Sequence, residues 1–498
     1  EGRTALQNAV ATAATRSTPA LAAGLLNAVN EDDVFSTPAT ALAIFDQTVE
    51  GLTADQVNAA VRAVFEGGGP LVLFTSPVPV EGGEAAVTAA LEASRATPVE
   101  APAAQAQLEW PYTDFGTPAT PASRTEVADL GLTLVTFANG VKLTIKPTDF
   151  RDEQILVTAR TGIGELALPT DRATSMAFAS TVMGPGGLGK LTADELNRVL
   201  AGRVFSVGVL QATDAYVFSG ATRPEDLQLE MQVLTAYLTD PGLRAAPFEQ
   251  VKGVYPQILD QLSATPGGVF QRDVTGLLAG GDKRETSPTA QEVAAMTIEE
   301  VRSGVRAGLA SGPIEVTVVG DVDVDAVISA VGSTLGALPA RGEAPAPLAG
   351  SDQRRFPAPA EAPVRLTHTG PANQALGFVA WPTRDQIGDR TEARQLTILA
   401  DVLQLRLNDE IREKRGLAYS PNAGSTASDV FPGYGYLAVT AETPPEELTT
   451  LFQAVDAIAA DLRDRPVEAD ELNRARLPAV ERLRRNQADN GYWLGQLS

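Results

Sequence analysis

The chain is 498 residues long, 44% hydrophobic and 20% charged, with a formal net charge of −23. That length passes the roughly 250–300 residues at which single cores stop growing, so at least two domains are expected. The acidic balance argues against a nucleic-acid partner, no apolar run approaches the ~18 residues of a membrane span, and zero cysteines exclude disulfides, thiolate nucleophiles and Cys-ligated metal.

Residues 1–30 read as helix already under way, with Leu6, Val10, Leu21, Leu25 and Leu26 as its apolar positions. A helix then starts at the capping box of Thr53 and Gln56, and Gly69-Pro70 leads into a predicted strand at Leu71-Val72-Leu73. Residues 96–123 are Pro-rich and read as an extended linker. Beyond it, two apolar runs, 133–137 and 141–145, flank Ala138-Asn139-Gly140, and the Asn-Gly pair predicts a hairpin. A further strand is expected over 154–160, then a helical stretch over 172–183 and a helix capped by Thr192 and Glu195.

Between those helical stretches lies Gly184-Pro185-Gly186-Gly187-Leu188-Gly189-Lys190, which fits both G-x-x-x-x-G-K and G-x-G-x-x-G. Both patterns need a strand before the loop so that its amides cradle phosphate. Here the preceding residues are helical in pattern and Leu191 stands where the Mg²⁺-binding Ser/Thr belongs, so a flexible interhelix loop is expected. Nucleotide binding at 184–190 is kept as a distant alternative. Asp321-Val322-Asp323-Val324-Asp325 has the alternation of a calcium loop, but a helix follows at once, so these carboxylates read as a helix start.

Residues 339–363 form a second Ala/Pro/Gly-rich linker. The chain's one histidine, His368, follows in the alternating stretch Arg365-Leu366-Thr367-His368-Thr369-Gly370 and reads as a strand-surface or loop residue. A catalytic zinc site usually takes two or three imidazoles, so none is expected within this sequence. An amphipathic helix over 391–411 leads into Arg412-Glu413-Lys414-Arg415-Gly416-Leu417-Ala418-Tyr419-Ser420, and then come Gly433-Tyr434-Gly435-Tyr436 and a strand. A guanidinium and a phenol near a helix end, with glycines opposite, suit recognition of extended backbone carbonyls; the other reading of these residues alone, and the favoured one, is a solvated charge run with a packed tyrosine. The last run, 467–485, is helical in pattern, and both ends of the chain read as cut.

The blocks repeat. Thr53, Gln56 and Val57, followed by Gly69-Pro70, recur as Thr297, Glu300 and Val301, followed by Gly312-Pro313, at a shift of 244 residues for the helix and 243 for the strand. Ser219-Gly220-Ala221-Thr222-Arg223-Pro224-Glu225-Asp226-Leu227 parallels Val439-Thr440-Ala441-Glu442-Thr443-Pro444-Pro445-Glu446-Glu447-Leu448, Thr222 and Thr443 standing 221 apart, each before an amphipathic helix (227–237 and 448–462). Strands followed by packed helices within one unit point to the α+β class.

Arg412-x-x-x-Gly416-Leu417-Ala418-Tyr419 after a long helix resembles the signature in the last domain of pitrilysin (insulinase) family peptidases. Phe137-Ala138-Asn139-Gly140-Val141 is similar to the start of one of that family's domains, and Val318-Val319-Gly320-Asp321, with Leu338-Pro339 after a helix, to the end of one. The resemblance implies tandem homologous α/β sandwich domains forming half of a clamshell. Residues 1–95 would be the tail of the second of four domains, 96–123 a linker, 124–338 the complete third, 339–363 a linker and 364–498 most of the fourth. It implies further that the zinc site, His-x-x-Glu-His plus a distant Glu, lies in a missing N-terminal half, fused or separate, and that this chain supplies the non-catalytic, substrate-binding half of a peptidase. The helix at 172–183, which stands where the zinc helix stands in the first domain, has no His or Glu. Only Arg412 and Tyr419 carry over, as contacts to a peptide substrate. The compartment stays open, with the bacterial periplasm suggested by the resemblance alone. The other reading weighed is a catalytically silent scaffold or partner subunit.

Overall fold

A computed structural model describes residues 2–13, 16, 18–66, 71–98, 108–360 and 362–498. Two compact units are present, 1–109 and 110–498.

The first unit contains, among its described residues, the helices α1 (Gly2–Ala11), α2 (Thr18–Asn30), α3 (Pro38–Val49), α4 (Ala54–Val64) and α5 (Gly83–Ala96). Thr53 and Gln56 close the predicted capping box at the start of α4. The predicted strand at 71–73 does not form; these residues are irregular and exposed, and Gly69 and Pro70 lie outside the described residues. A strand needs partners on both the hydrogen-bonding and packing sides, and the described part of this unit has no other strand to give one. For the same reason the apolar stripe of α4, Val57, Val61 and Phe65, is exposed.

The second unit begins with β1 (Pro121–Val127), β2 (Leu132–Phe137), β3 (Lys142–Pro147) and β4 (Ile155–Thr161). The helices α6 (Ala179–Met183) and α7 (Ala193–Val199) come next, then β5 (Gly208–Gln211) and β6 (Tyr216–Thr222). Five helices follow: α8 (Leu227–Thr239), α9 (Ala245–Ser263), α10 (Pro266–Val269), α11 (Thr275–Leu278) and α12 (Ala290–Ala295). The middle block closes with α13 (Ile298–Leu309), β7 (Ile314–Gly320) and α14 (Val324–Gly332). Its seven strands make one sheet in the order β1-β2-β3-β7-β4-β6-β5. The predicted hairpin is β2–β3, with Gly140 at φ 88° and the Asn139 amide donating to the carbonyls of Leu335 and Leu338. β7 inserts between β3, which it parallels, and β4, which it opposes. One face, including Leu143, Ile145, Val157, Phe218, Val316 and Val318, packs on α8, α13 and α14 and is fully buried.

The last block holds β8 (Ala375–Thr383), α15 (Arg390–Leu407), β9 (Asn422–Ala427), β10 (Gly435–Thr443), α16 (Leu448–Asp464), α17 (Ala469–Asn486) and α18 (Asn490–Leu497). Its sheet runs β8-β10-β9. The succession read from the sequence recurs in both blocks: β6, a 3₁₀ turn begun by Pro224, then α8; β10, a 3₁₀ turn begun by Pro445, then α16. The final helix returns to the middle block. Asn490 binds Thr148 at 2.6 Å and Gln154 at 3.0 Å, and Lys146 Nζ lies 4.1 Å from the Trp493 ring, so α18 covers polar positions on the sheet face away from the core.

Several local expectations resolve differently. The stretch 172–183 is a 3₁₀ turn, Ser175–Phe178, followed by the short α6. Thr297 caps α13, but the Glu300 carboxylate turns to Ser175, whose hydroxyl also accepts from the Thr297 amide; Ser175 thus bridges the two halves of the predicted box. Asp323 caps α14 through the Ala326 amide, as its helix-start reading requires. The linker at 339–363 is irregular but tied down, with Arg341 donating to the carbonyls of Gly312 and Ser311 and Arg354 stacked over Phe431.

One buried carboxylate has a measurable consequence. Glu230 on α8 is fully buried, its Oε2 accepts from the Ser206 amide and its Oε1 has no partner. Burial pushes its carboxyl up to about 8. A raised native value means that the native chain keeps this proton where the unfolded chain has lost it. The stability it gives is complete below about 4.5 and is lost as pH rises towards 8. Urea titrations across this window should show the parent losing stability relative to Glu230→Gln, on the order of 1.4 kcal/mol per unit of separation at most; parallel curves would contradict this.

Candidate substrate-contacting site

Asp389 starts α15 by accepting from the amides of Thr391 and Glu392. The helix buries Leu403 and Leu407 against α16 and β10, then continues as a wider π-turn over Asn408–Lys414 that still buries Ile411. Gly416 ends it in the left-handed region at φ 61°, and the Leu417 amide reaches back to the Ile411 carbonyl at 2.9 Å. Leu417 and Ala418 turn into the core, and the Leu417 carbonyl accepts from Thr443 Oγ1 at 2.7 Å. With those two residues buried, the next side chain projects outward: Tyr419 is 79% exposed.

Arg412 stands seven residues back, within the π-turn. Its guanidinium lies 4.7 Å from the centre of the Tyr419 ring, with the Glu413 carboxylate 3.4 Å away. The neighbouring cations are otherwise engaged. Glu410 accepts from Arg415 at 2.8 Å and from Lys414 at 3.0 Å, and those two bonds hold its carboxyl below its ordinary range. Of the basic residues in this run, only Arg412 meets the tyrosine. The support beneath is well tied: Gln404 bonds the Pro421 carbonyl and the Ala423 amide, each at 2.8 Å, and Arg406 pairs with Asp461 and Glu471. A cation over an aromatic face next to a free phenol makes a surface of donors, suited to carbonyl or carboxylate oxygens.

The Gly/Tyr stretch has another duty. Tyr434 is buried with Phe431 and Leu166, and Arg354 stacks over both rings, at 4.0 Å from Phe431 and 5.4 Å from Tyr434. This cluster joins the last block to the middle one. Its nearest sequence signal is the pair Arg354-Arg355 inside the Ala/Pro/Gly-rich linker, which sequence reading passed over.

The glycine loop is held, not flexible. The amides of Gly186, Gly187, Leu188 and Gly189 donate to backbone carbonyls, and that of Lys190 donates to the Tyr112 hydroxyl. Its carbonyls face a cation: Arg244 donates to Gly186, to Leu188 at 2.7 Å and to Gly189 at 3.4 Å. A loop whose amides are spent and whose carbonyls bind a guanidinium has the wrong polarity for phosphate.

The described residues offer no set of ligands that fits zinc. His368 uses both ring nitrogens on backbone, Nε2 to the Gln374 carbonyl at 2.9 Å and Nδ1 from the Gly370 amide at 3.2 Å. The helical stretch at 172–183 presents Met176, Phe178, Val182 and Met183 to the core. Among the described residues no group of three or more His, Cys, Asp or Glu is placed to hold a metal, and no helix is long and apolar enough to cross a membrane.

Comparison with known proteins bears on the fold and on the last part of the chain. Residues 295–477 match the family described as the peptidase M16 inactive domain. The chloroplastic stromal processing peptidase of Arabidopsis thaliana is 19% identical over 420 residues, 74% of this chain and 33% of that protein. Among solved structures, the periplasmic protease PqqL from Escherichia coli aligns over 99% of this chain and 54% of its own, with a TM-score of 0.66 and 17% identity. A peptidase M16 inactive domain from Pseudomonas fluorescens aligns over 74% of this chain and 87% of its own, with a TM-score of 0.60 and 19% identity. The chain thus spans about a third of the curated relative and about half of PqqL. Its α+β fold is like that of M16 peptidases, and the segment 295–477 matches their inactive domain.

Proposed function

We propose that this chain is the non-catalytic, substrate-binding half of a zinc peptidase, acting with a second half that carries the His-x-x-Glu-His site. In this reading 1–95 is the tail of the second domain, 124–338 the third and 364–498 most of the fourth. The observation that carries it is the Arg412–Tyr419 pair, exposed together at the end of α15 within the segment that matches the inactive domain. Arg412 supplies charge-assisted donors and Tyr419 one hydroxyl donor to the carbonyls of an extended peptide. The rest of the terminus serves to aim them, Leu417 and Ala418 by burial and Gly416 by its turn.

The purified chain should hold no stoichiometric zinc and cleave no peptide by itself. Elemental analysis and a peptide-hydrolysis assay check this together. About one tightly held zinc per chain, or turnover without a partner, would overturn the assignment. A catalytically silent scaffold shares the first outcome and is separated by substrate: the proposed half retains peptide binding that Arg412→Ala weakens.

A further inference from the structure

A partly open cavity of about 280 Å³ lies in the middle block, where the turn Gly164–Ala167, the turn Ser175–Phe178 with α6, the end of β5 and the segment 283–288 meet. Every residue that lines it stands between 165 and 288, so it shares none with the Arg412–Tyr419 pair.

The lining has donors left over. Gln211, the last residue of β5, is 7% exposed, and its Nε2 is buried without a hydrogen-bond partner. A buried amide nitrogen left so is costly, and the position asks for an acceptor. Ser180 Oγ accepts from the Gln211 backbone amide at 2.9 Å, which ties the two residues together and leaves the hydroxyl hydrogen to give. Arg172 has a single ion pair among the described residues, to Glu300 at 3.7 Å, beyond hydrogen-bond reach. Lys283 has no ion pair among them, though Glu292 feels its charge.

The acids of the cavity offer less. Glu285 is engaged by Arg354. At Glu165, burial first and the Glu285 charge second push the carboxyl up to about 7; Arg284 and Arg354 pull it down and Asp282 adds to the rise. Below that value Glu165 is a neutral acid that can itself donate. An amine entering here would find one weak anion among several donors, whereas a carboxylate would find acceptorless donors on more than one side. Leu168 and Met176 add an apolar wall. Drug-sized pockets begin at roughly 300 Å³, so the occupant is small, about one residue's worth of chain.

We propose that this cavity binds a carboxylate carried by a peptide, its C-terminus or an acidic side chain, through Gln211, Ser180, Arg172 and Lys283. That the carrier is a peptide rests on the peptidase-half reading; the carboxylate rests on the donors. The site is a second peptide contact, built from other residues than Arg412 and Tyr419.

Isothermal titration calorimetry on this whole chain tests it, with three probes: acetyl-Ala-Ala-Leu as the free acid, the same peptide as its C-terminal amide, and acetyl-Ala-Asp-Ala amide. The free acid or the Asp peptide should bind at one site per chain, and whichever binds more tightly identifies the carboxylate taken. The Leu amide, which has no carboxylate, should not bind. Affinity should be higher at about pH 6 than at about pH 8, because a neutral Glu165 does not repel the ligand and an ionised one does. Gln211→Leu removes the orphaned donor and leaves no new polar group, so the chain should be at least as stable in urea, yet affinity should fall about tenfold or more. Arg172→Ala, at a largely exposed side chain, should weaken binding without touching the fold. No saturable binding by either carboxylate probe, equal binding of the Leu amide, or parental affinity in both variants would overturn the site. Zinc content and turnover, which test the peptidase-half reading, are separate measurements and are not altered by any of these results.

Discussion

Tyr419→Phe in the assembled peptidase is expected to lower kcat by about 10²–10³, the typical cost of removing one preorganised donor to developing oxyanion charge. The substitution removes a single hydroxyl from a side chain that is 79% exposed, so folding should be unaffected. Arg412→Lys should also be harmful: the guanidinium lies 4.7 Å from the ring centre and offers a planar fork, which an ammonium cannot reproduce. Lys414→Ala and Arg415→Ala remove cations already spent on Glu410, and peptide turnover should scarcely change. Steady-state kinetics on the four variants decide the matter. If Tyr419→Phe kept parental kcat while Lys414→Ala lost it, the assignment of the site would be wrong.

The second large effect concerns stability. Asp282 and Arg284 are almost wholly buried and paired through both carboxylate oxygens, at 2.7–3.1 Å. Arg284 goes on to donate to the carbonyls of Glu165 and Ser351, each at 2.9 Å, and Arg354 bonds Glu285 while stacking on Phe431. These bonds clip the linker and the last block to the middle block. Nearby, burial first and the Glu285 charge second push the Glu165 carboxyl up to about 7. Asp282→Ala leaves Arg284 buried without its counter-charge and should destabilise the unit by about 3–5 kcal/mol. Asp282→Asn keeps an acceptor oxygen and should cost less. Urea denaturation followed by tryptophan fluorescence checks both; a loss within about 0.5 kcal/mol for Asp282→Ala, the ordinary surface value, would contradict the account.

Local chemistry was legible where it was self-contained. The Asn139-Gly140 turn, the caps at Thr53, Thr192 and Asp323, and the Pro-led starts before α8 and α16 each depend on a few neighbouring residues, and the structure has them. Expectations that needed a distant partner fared worse. Leu71-Val72-Leu73 has the composition of a strand, but pairing decides strands, and no partner is present in its described surroundings. Glu300 had the spacing of a capping box, yet Ser175, 125 residues away, claimed its carboxylate. The glycine loop looked mobile because Arg244 and Tyr112, which fix it, are remote in sequence. At the site, Arg412 and Tyr419 were visible as residue types at a fixed spacing. That Gly416 and the buried Leu417 would set the two side chains together was not.

The central claim is that this chain contributes to peptide hydrolysis without supplying the zinc site. Peptide turnover should therefore be measured for this chain alone, for the half carrying His-x-x-Glu-His alone, and for the two combined at equal concentration. The account predicts negligible rates from each half and a zinc-dependent rate from the combination, abolished by chelation and lowered by Tyr419→Phe. Full activity from the zinc-bearing half alone, unchanged when this chain is added, would contradict it.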